Sequence, residues 1–102
     1  MIRHIVLARL RDTTPEAEIA AILADLDALR HHLPGMLDFR GGANVSPEGL
    51  ARGHTHIFTV DFADAAARDA YLADPAHKAA GGRLVAASEG GVAGILVMDF
   101  AV

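Results

Sequence analysis

No cysteine and no tryptophan occur among the 102 residues, and a single tyrosine and four phenylalanines are the only large aromatics. Without cysteine there is no disulfide, no thiolate nucleophile and no Cys-ligated metal. With aromatics at 5%, the 21 alanines supply much of the apolar bulk, so the core is thin. Thin elements tend to cover their remaining apolar surface by association. Positive charge is also scarce: 9 Lys plus Arg stand against 13 Asp plus Glu, a net charge of −4 with His neutral. That balance argues against nonspecific binding to nucleic acid or to an anionic membrane. No apolar run approaches the ~20 residues of a membrane span, and Arg3 and His4 interrupt the N-terminal run where a signal peptide would need its apolar stretch. These absences predict a cytoplasmic protein, and the length fits one domain over residues 1–102.

Histidine is what the chain does have. In Gly53-His54-Thr55-His56-Ile57-Phe58-Thr59-Val60-Asp61-Phe62 the alternation places His54, His56, Phe58, Val60 and Phe62 on one strand face. A buried imidazole needs hydrogen-bond partners or loses its charge, at a cost that another Val would not incur. Such a face marks either a cavity with chemistry in it or a core with a polar corner.

The rest of the chain supplies the frame. Ile2 to Arg11 reads as a strand, with Ile2, His4, Val6, Ala8 and Leu10 on one face and Ile5 and Leu7 on the other. Thr14 as N-cap and Pro15 at the first helical position begin a helix, whose stripe of Ile19, Ile22, Leu23, Leu26 and Leu29 runs to about His32. Met36 to Ala43 is a second strand, and Asn44 to Gly53 is rich in turn formers. Asp64 caps a helix over Ala65 to about Leu72; Asp74-Pro75 breaks it and restarts it to about Ala87, loosened by Gly81-Gly82. Val92 to Phe100 is the last strand.

The order is βαββαβ, the ferredoxin-like α+β arrangement of a four-stranded antiparallel sheet with two helices on one face. Strands one, three and four are apolar on both faces, so the uncovered face would be a large exposed patch. Pairing two sheets face to face removes it, which predicts a homodimer.

Met1-Ile2-Arg3-His4-Ile5-Val6-Leu7, Asn44-Val45-Ser46-Pro47-Glu48-Gly49-Leu50, Thr55-His56, Asp74-Pro75-Ala76-His77 and Val97-Met98-Asp99-Phe100 together resemble the stress-responsive A/B barrel (Dabb) domain family, in order and over nearly the whole chain. The resemblance implies a ferredoxin-like fold whose dimer closes a barrel from two sheets. One plant branch of the family comprises polyketide cyclases with a Tyr and a His in a cavity between helices and sheet. Those residues match Tyr71 and His77 here, and the cavity histidines match His4 and His56. The loop after His77 is longer than in the family, and His54 stands where an aromatic residue is common. The resemblance also implies that the histidine face points toward the helices.

Taking strands one and three as parallel neighbours, a shift of 52 residues sets His4 beside His56, and Arg9 beside Asp61 on the other face. With His77 as base and Tyr71 as donor to a developing oxyanion, proton abstraction alpha to a carbonyl is the expected chemistry. His4, His56, Val6 and Phe58 would contact the small-molecule substrate, with no cofactor. The alternative is a noncatalytic ligand-binding or stress-response dimer whose histidines form a satisfied polar cluster. A cofactorless monooxygenase is a weaker third reading, with no Trp to support it. A facial site of His4, His54 and His56 for a metal finds no supporting carboxylate, since Asp61 and Asp99 are placed on the opposite face, so no metal is expected. His31 and His32 read as helix-end or solvated residues. The glycine pairs form no phosphate cradle, and Ser46 and Ser88 lie outside any nucleophile elbow.

Overall fold

The computed structural model describes residues 1–102. The chain runs β1 (Ile2–Ala8), α1 (Glu16–Ala28) with a 3-10 extension over Leu29–His31, β2 (Met36–Ala43), β3 (His56–Phe62), α2 (Ala65–Ala73), α3 (Pro75–Ala87), a 3-10 turn at Gly91–Gly94, and β4 (Ile95–Ala101). The four strands form one antiparallel sheet in the order β2-β3-β1-β4.

Pairing sets which residues meet. The β1–α1–β2 crossover makes β1 and β2 parallel, and β3 returns antiparallel between them. Ile2 therefore faces Phe62, Arg3 faces Asp61, His4 faces Val60, and Ala8 faces His56. This corrects the parallel register expected from sequence. His4 and His56 lie at opposite ends of the β1–β3 pair, and it is Arg3, not Arg9, that meets Asp61. Its guanidinium donates to that carboxylate at 2.8 and 3.1 Å and holds the carboxyl below the usual range.

The helices cover the face carrying His4, Val6, Ala8, Phe58, Val60 and Phe62, all buried, and His56, half-buried at the sheet end. Ile19, Ile22 and Leu26 of α1 and Ala80, Leu84 and Ala87 of α3 pack onto it. Truncating a core residue such as Leu26 to Ala would cost about 2–5 kcal/mol. A register shift between Met36 and Asp38 turns Met36 inward and leaves Leu37 exposed. Phe39 stacks on Phe58 with ring centroids 5.4 Å apart.

Local signals succeed in part. Asp64 caps α2 by accepting from the Ala67 amide at 2.8 Å, as its sequence position predicts. Thr14 does not cap α1. Its hydroxyl donates to the Ala87 carbonyl at 3.1 Å, and Pro15 takes the cap position without a side-chain bond. Asp74 makes α2 and α3 separate helices by accepting from the Ala76 and His77 amides. His54 leaves the strand face because Arg52 and Gly53, both at positive φ, break the alternation just before it. On the far face, Ile5, Leu7, Ile57, Leu96, Met98 and Phe100 form an apolar surface that no helix covers. No helix is long and apolar enough to cross a membrane.

Candidate functional site

The α2–α3 break places two predicted residues against each other. Tyr71 closes the last turn of α2, and His77 opens the first turn of α3, where Asp74 has fixed the backbone. Their rings lie 4.1 Å apart between centroids. His4 approaches Tyr71 edge-on from β1, with centroids 5.8 Å apart. Tyr71 is fully buried and Phe62 packs on its other side.

A pocket of about 350 Å³ opens beside these rings. His4, Val6 and Phe58 line its sheet side, and His77, Gly81 and Leu84 line its helix side. Ile95 and Val97 of β4 continue it toward the sheet edge. Of the residues singled out by sequence, His4, Val6, Phe58 and His77 therefore share one cavity. Tyr71 lies behind the two imidazoles rather than on the lining. His56 is elsewhere: it borders a void of about 10 Å³ with Ala8, Leu10 and Ile19, and its Nδ1 donates to the Thr55 hydroxyl at 2.9 Å. Such a void holds at most one water. The antiparallel register is the reason, and it likewise keeps His4, His54 and His56 from converging. His54 donates through Nδ1 to the Ala51 carbonyl at 2.8 Å and faces the opposite side of the sheet, beside Leu7 and Ile57.

Asp99 is the residue that sequence reasoning misplaced. It sits directly across from His4 in the β1–β4 register and on the same face. His4 Nδ1 donates to Asp99 Oδ1 at 2.7 Å, and Arg68 of α2 donates to Oδ2 at 3.2 Å. Alternation within β4 carried the signal: Ile95, Val97 and Asp99 share one face, Leu96, Met98 and Phe100 the other. The relay fixes the His4 tautomer, so Nε2 is the nitrogen left for the pocket.

The electrostatics differ from ring to ring. Burial lowers the His77 pKa from that of a free imidazole, and the neighbouring His4 adds to the effect. The Leu72 carbonyl pulls in the opposite direction without forming a proper hydrogen bond, so His77 Nδ1 has no partner. Burial pushes the Tyr71 phenol far above its ordinary range, so it stays protonated, and its hydroxyl also lacks a partner. Each such orphan costs about 1–3 kcal/mol. A neutral imidazole on the lining can accept a proton from a bound molecule, and the protonated phenol packs behind it without reaching the pocket.

The fold and this site define a ferredoxin-like α+β domain with a largely apolar pocket headed by two imidazoles, with a phenol packed behind them. The chain belongs to the stress responsive A/B barrel domain family, whose model matches residues 2–102. It is 33% identical over 76 residues to the stress-response A/B barrel domain-containing protein HS1 of Arabidopsis thaliana, covering 74% of this chain and 70% of that one. It is 26% identical over 76 residues to olivetolic acid cyclase of Cannabis sativa, covering 74% and 75%. The crystal structure of a dimeric ferredoxin-like protein of unknown function from Jannaschia sp. CCS1 superposes with a TM-score of 0.92 at 38% identity, covering 99% of this chain and 98% of that one.

Proposed function

We propose that this protein is a homodimeric, cofactor-independent acid/base catalyst acting on a small carbonyl compound held between helices and sheet. His77 takes a proton alpha to the carbonyl, His4, set by Asp99, orients the substrate through Nε2, and Tyr71, buried behind both imidazoles, holds their rings in position. The observation that carries this reading is the pair of orphaned polar atoms, Tyr71 Oη and His77 Nδ1, in touching rings beside an open pocket. A purely structural histidine cluster would have its polar atoms satisfied. Here that holds for His4 Nδ1 and fails for the other two. Similarity to a named cyclase supports the same class of chemistry.

The homodimer rests on the uncovered sheet face, where Leu96, Met98 and Phe100 are 42%, 62% and 51% exposed, and on the dimeric state of the similar Jannaschia protein. Light scattering at micromolar concentration should give twice the chain mass, and a monomer would remove the dimer from the proposal.

The catalytic reading is tested with a panel of medium-chain ketones and 1,3-diketones in D2O, following alpha-hydrogen exchange by NMR. The protein should accelerate exchange above buffer for at least one compound. The His77→Ala variant should lose at least about 100-fold of that acceleration, the usual contribution of a general base. No acceleration across the panel, or an unaffected variant, refutes the catalytic assignment.

A further inference from the structure

The lining of the pocket carries one formally charged side chain, and it belongs to the only lysine in the chain, Lys78. It follows His77 directly in α3 and is exposed at the pocket's mouth. No carboxylate lies within ion-pair distance of its ammonium. The surrounding charges are already engaged. Arg68 is paired with Asp69 and Asp99, Arg83 with Glu18 and Asp25, and Asp74 with His32 and two backbone amides. Beyond Lys78 and the two imidazoles the lining is apolar, with Leu26, Phe58, Leu84 and Ile95 along its walls. One turn further along α3, Gly81 leaves a gap in which an added Cβ would meet nothing within 4 Å.

We propose that the pocket binds an amphiphilic carboxylate, with its alkyl chain along the apolar wall and its carboxylate at the Lys78 ammonium. This rests on the reading of the pocket as a small-molecule site, and it names the substrate class. Charge complementarity carries it. An apolar cavity with an unpaired cation at its mouth gains most from a ligand of the same design, apolar along its length and anionic at one end. Because Lys78 and His77 line the same pocket, the anionic end comes to rest near the group proposed to remove a proton, as in an acid bearing a neighbouring carbonyl.

Octanoate and 1-octanol, below their micellar concentrations, separate charge from chain. Binding is followed by NMR shifts of pocket residues, and by the rate of Lys78 acetylation read by mass spectrometry, with the Met1 amine as internal reference. Octanoate should bind about threefold or more tightly than 1-octanol, the scale of a partly exposed ion pair. It should also slow Lys78 acetylation relative to Met1. Lys78→Gln, at an exposed position that does not endanger folding, should abolish the preference and leave 1-octanol binding unchanged. If neither compound shifts the pocket residues, the small-molecule reading itself fails. If both bind alike and Lys78→Gln changes nothing, the pocket stands and the carboxylate assignment is overturned. Weakened 1-octanol binding in Lys78→Gln would also overturn it, because the lysine would then act through packing rather than charge.

Discussion

The two ends of the β1–β3 pair carry the same residue type and treat it differently. At one end His4 is buried, its Nδ1 is fixed by Asp99, which Arg68 holds in turn, and it faces an open pocket with His77 and Tyr71 close by. At the other end His56 bonds to Thr55, whose hydroxyl also accepts from the Leu10 amide, and it looks into a void too small for a ligand. A histidine on an apolar strand face is therefore not by itself a sign of function. What separates the ends is open volume, a carboxylate behind the ring, and unsatisfied polar atoms packed beside it.

The largest expected effect breaks the comparison if it fails. In the hydrogen-exchange assay, His77→Ala should lose about 100-fold or more, whereas His56→Ala should stay within about threefold of the parent, since it removes a bond outside the pocket. Equal losses would mean that the two ends are functionally alike. The pH profile sharpens the same point. Burial lowers the folded-state pKa of His77, so the imidazole remains neutral, and able to accept a proton, to a lower pH than a free one. The rate should hold through pH 6.5 and fall only at lower pH, as the folded-state pKa is crossed. Stability has the same sign. The His77 contribution is fully present above the unfolded pKa near 6.5 and is lost as pH falls from there through the folded value. Denaturant midpoints of the parent and of His77→Asn should therefore converge, or invert, on going from pH 8 to pH 5.

The next effect concerns the relay behind His4. Asp99→Ala leaves a buried Nδ1–H with no acceptor and should cost about 1–3 kcal/mol of stability in urea unfolding. Asp99→Asn keeps an acceptor oxygen and should recover most of it. At the opposite end, His56→Ala gives up one hydrogen bond of a half-exposed ring, about 0.5–1.5 kcal/mol. A loss for Asp99→Ala no greater than that for His56→Ala would show the relay to be incidental.

How much of this was legible before folding depends on distance along the chain. Strand and helix positions follow from local periodicity and caps, so β2 spans Met36–Ala43 as read and α3 restarts at Pro75 as read. The apolar far face was legible too, because alternation in β1, β3 and β4 states it directly. Pairing direction was not. Taking β1 and β3 as parallel brought His56 to His4 and Arg9 to Asp61; the crossover geometry of βαβ, with β3 inserted between, reverses both. Asp99 was lost to the same kind of error: alternation groups it with Ile95 and Val97, but which face that group takes is set by the β1–β4 pairing, which puts Asp99 across from His4. Tyr71 and His77 were found because they are separated by a short Asp-Pro break, a local signal. The orphaned state of their polar atoms is a property of packing that no spacing encodes.

Two glycines give the smallest effects and the most direct reading of open against filled. At Gly81, in α3 by the pocket, an added methyl meets nothing within 4 Å. At Gly41, across from Phe58 and two positions from the residue facing His56, it would come within 3.0 Å of the Phe58 Cβ and 3.4 Å of Leu23. Gly81→Ala should therefore stabilise the fold by about 0.5–1 kcal/mol, because a helical glycine is replaced by the best helix former with no steric penalty. Gly41→Ala should destabilise it by about 1 kcal/mol or more through overpacking. Opposite signs in matched urea titrations would mark one end as space left open and the other as space already filled. If both substitutions stabilise, the filled end has slack that its small void does not reveal, and the contrast between the two histidines would then rest on hydrogen bonding alone.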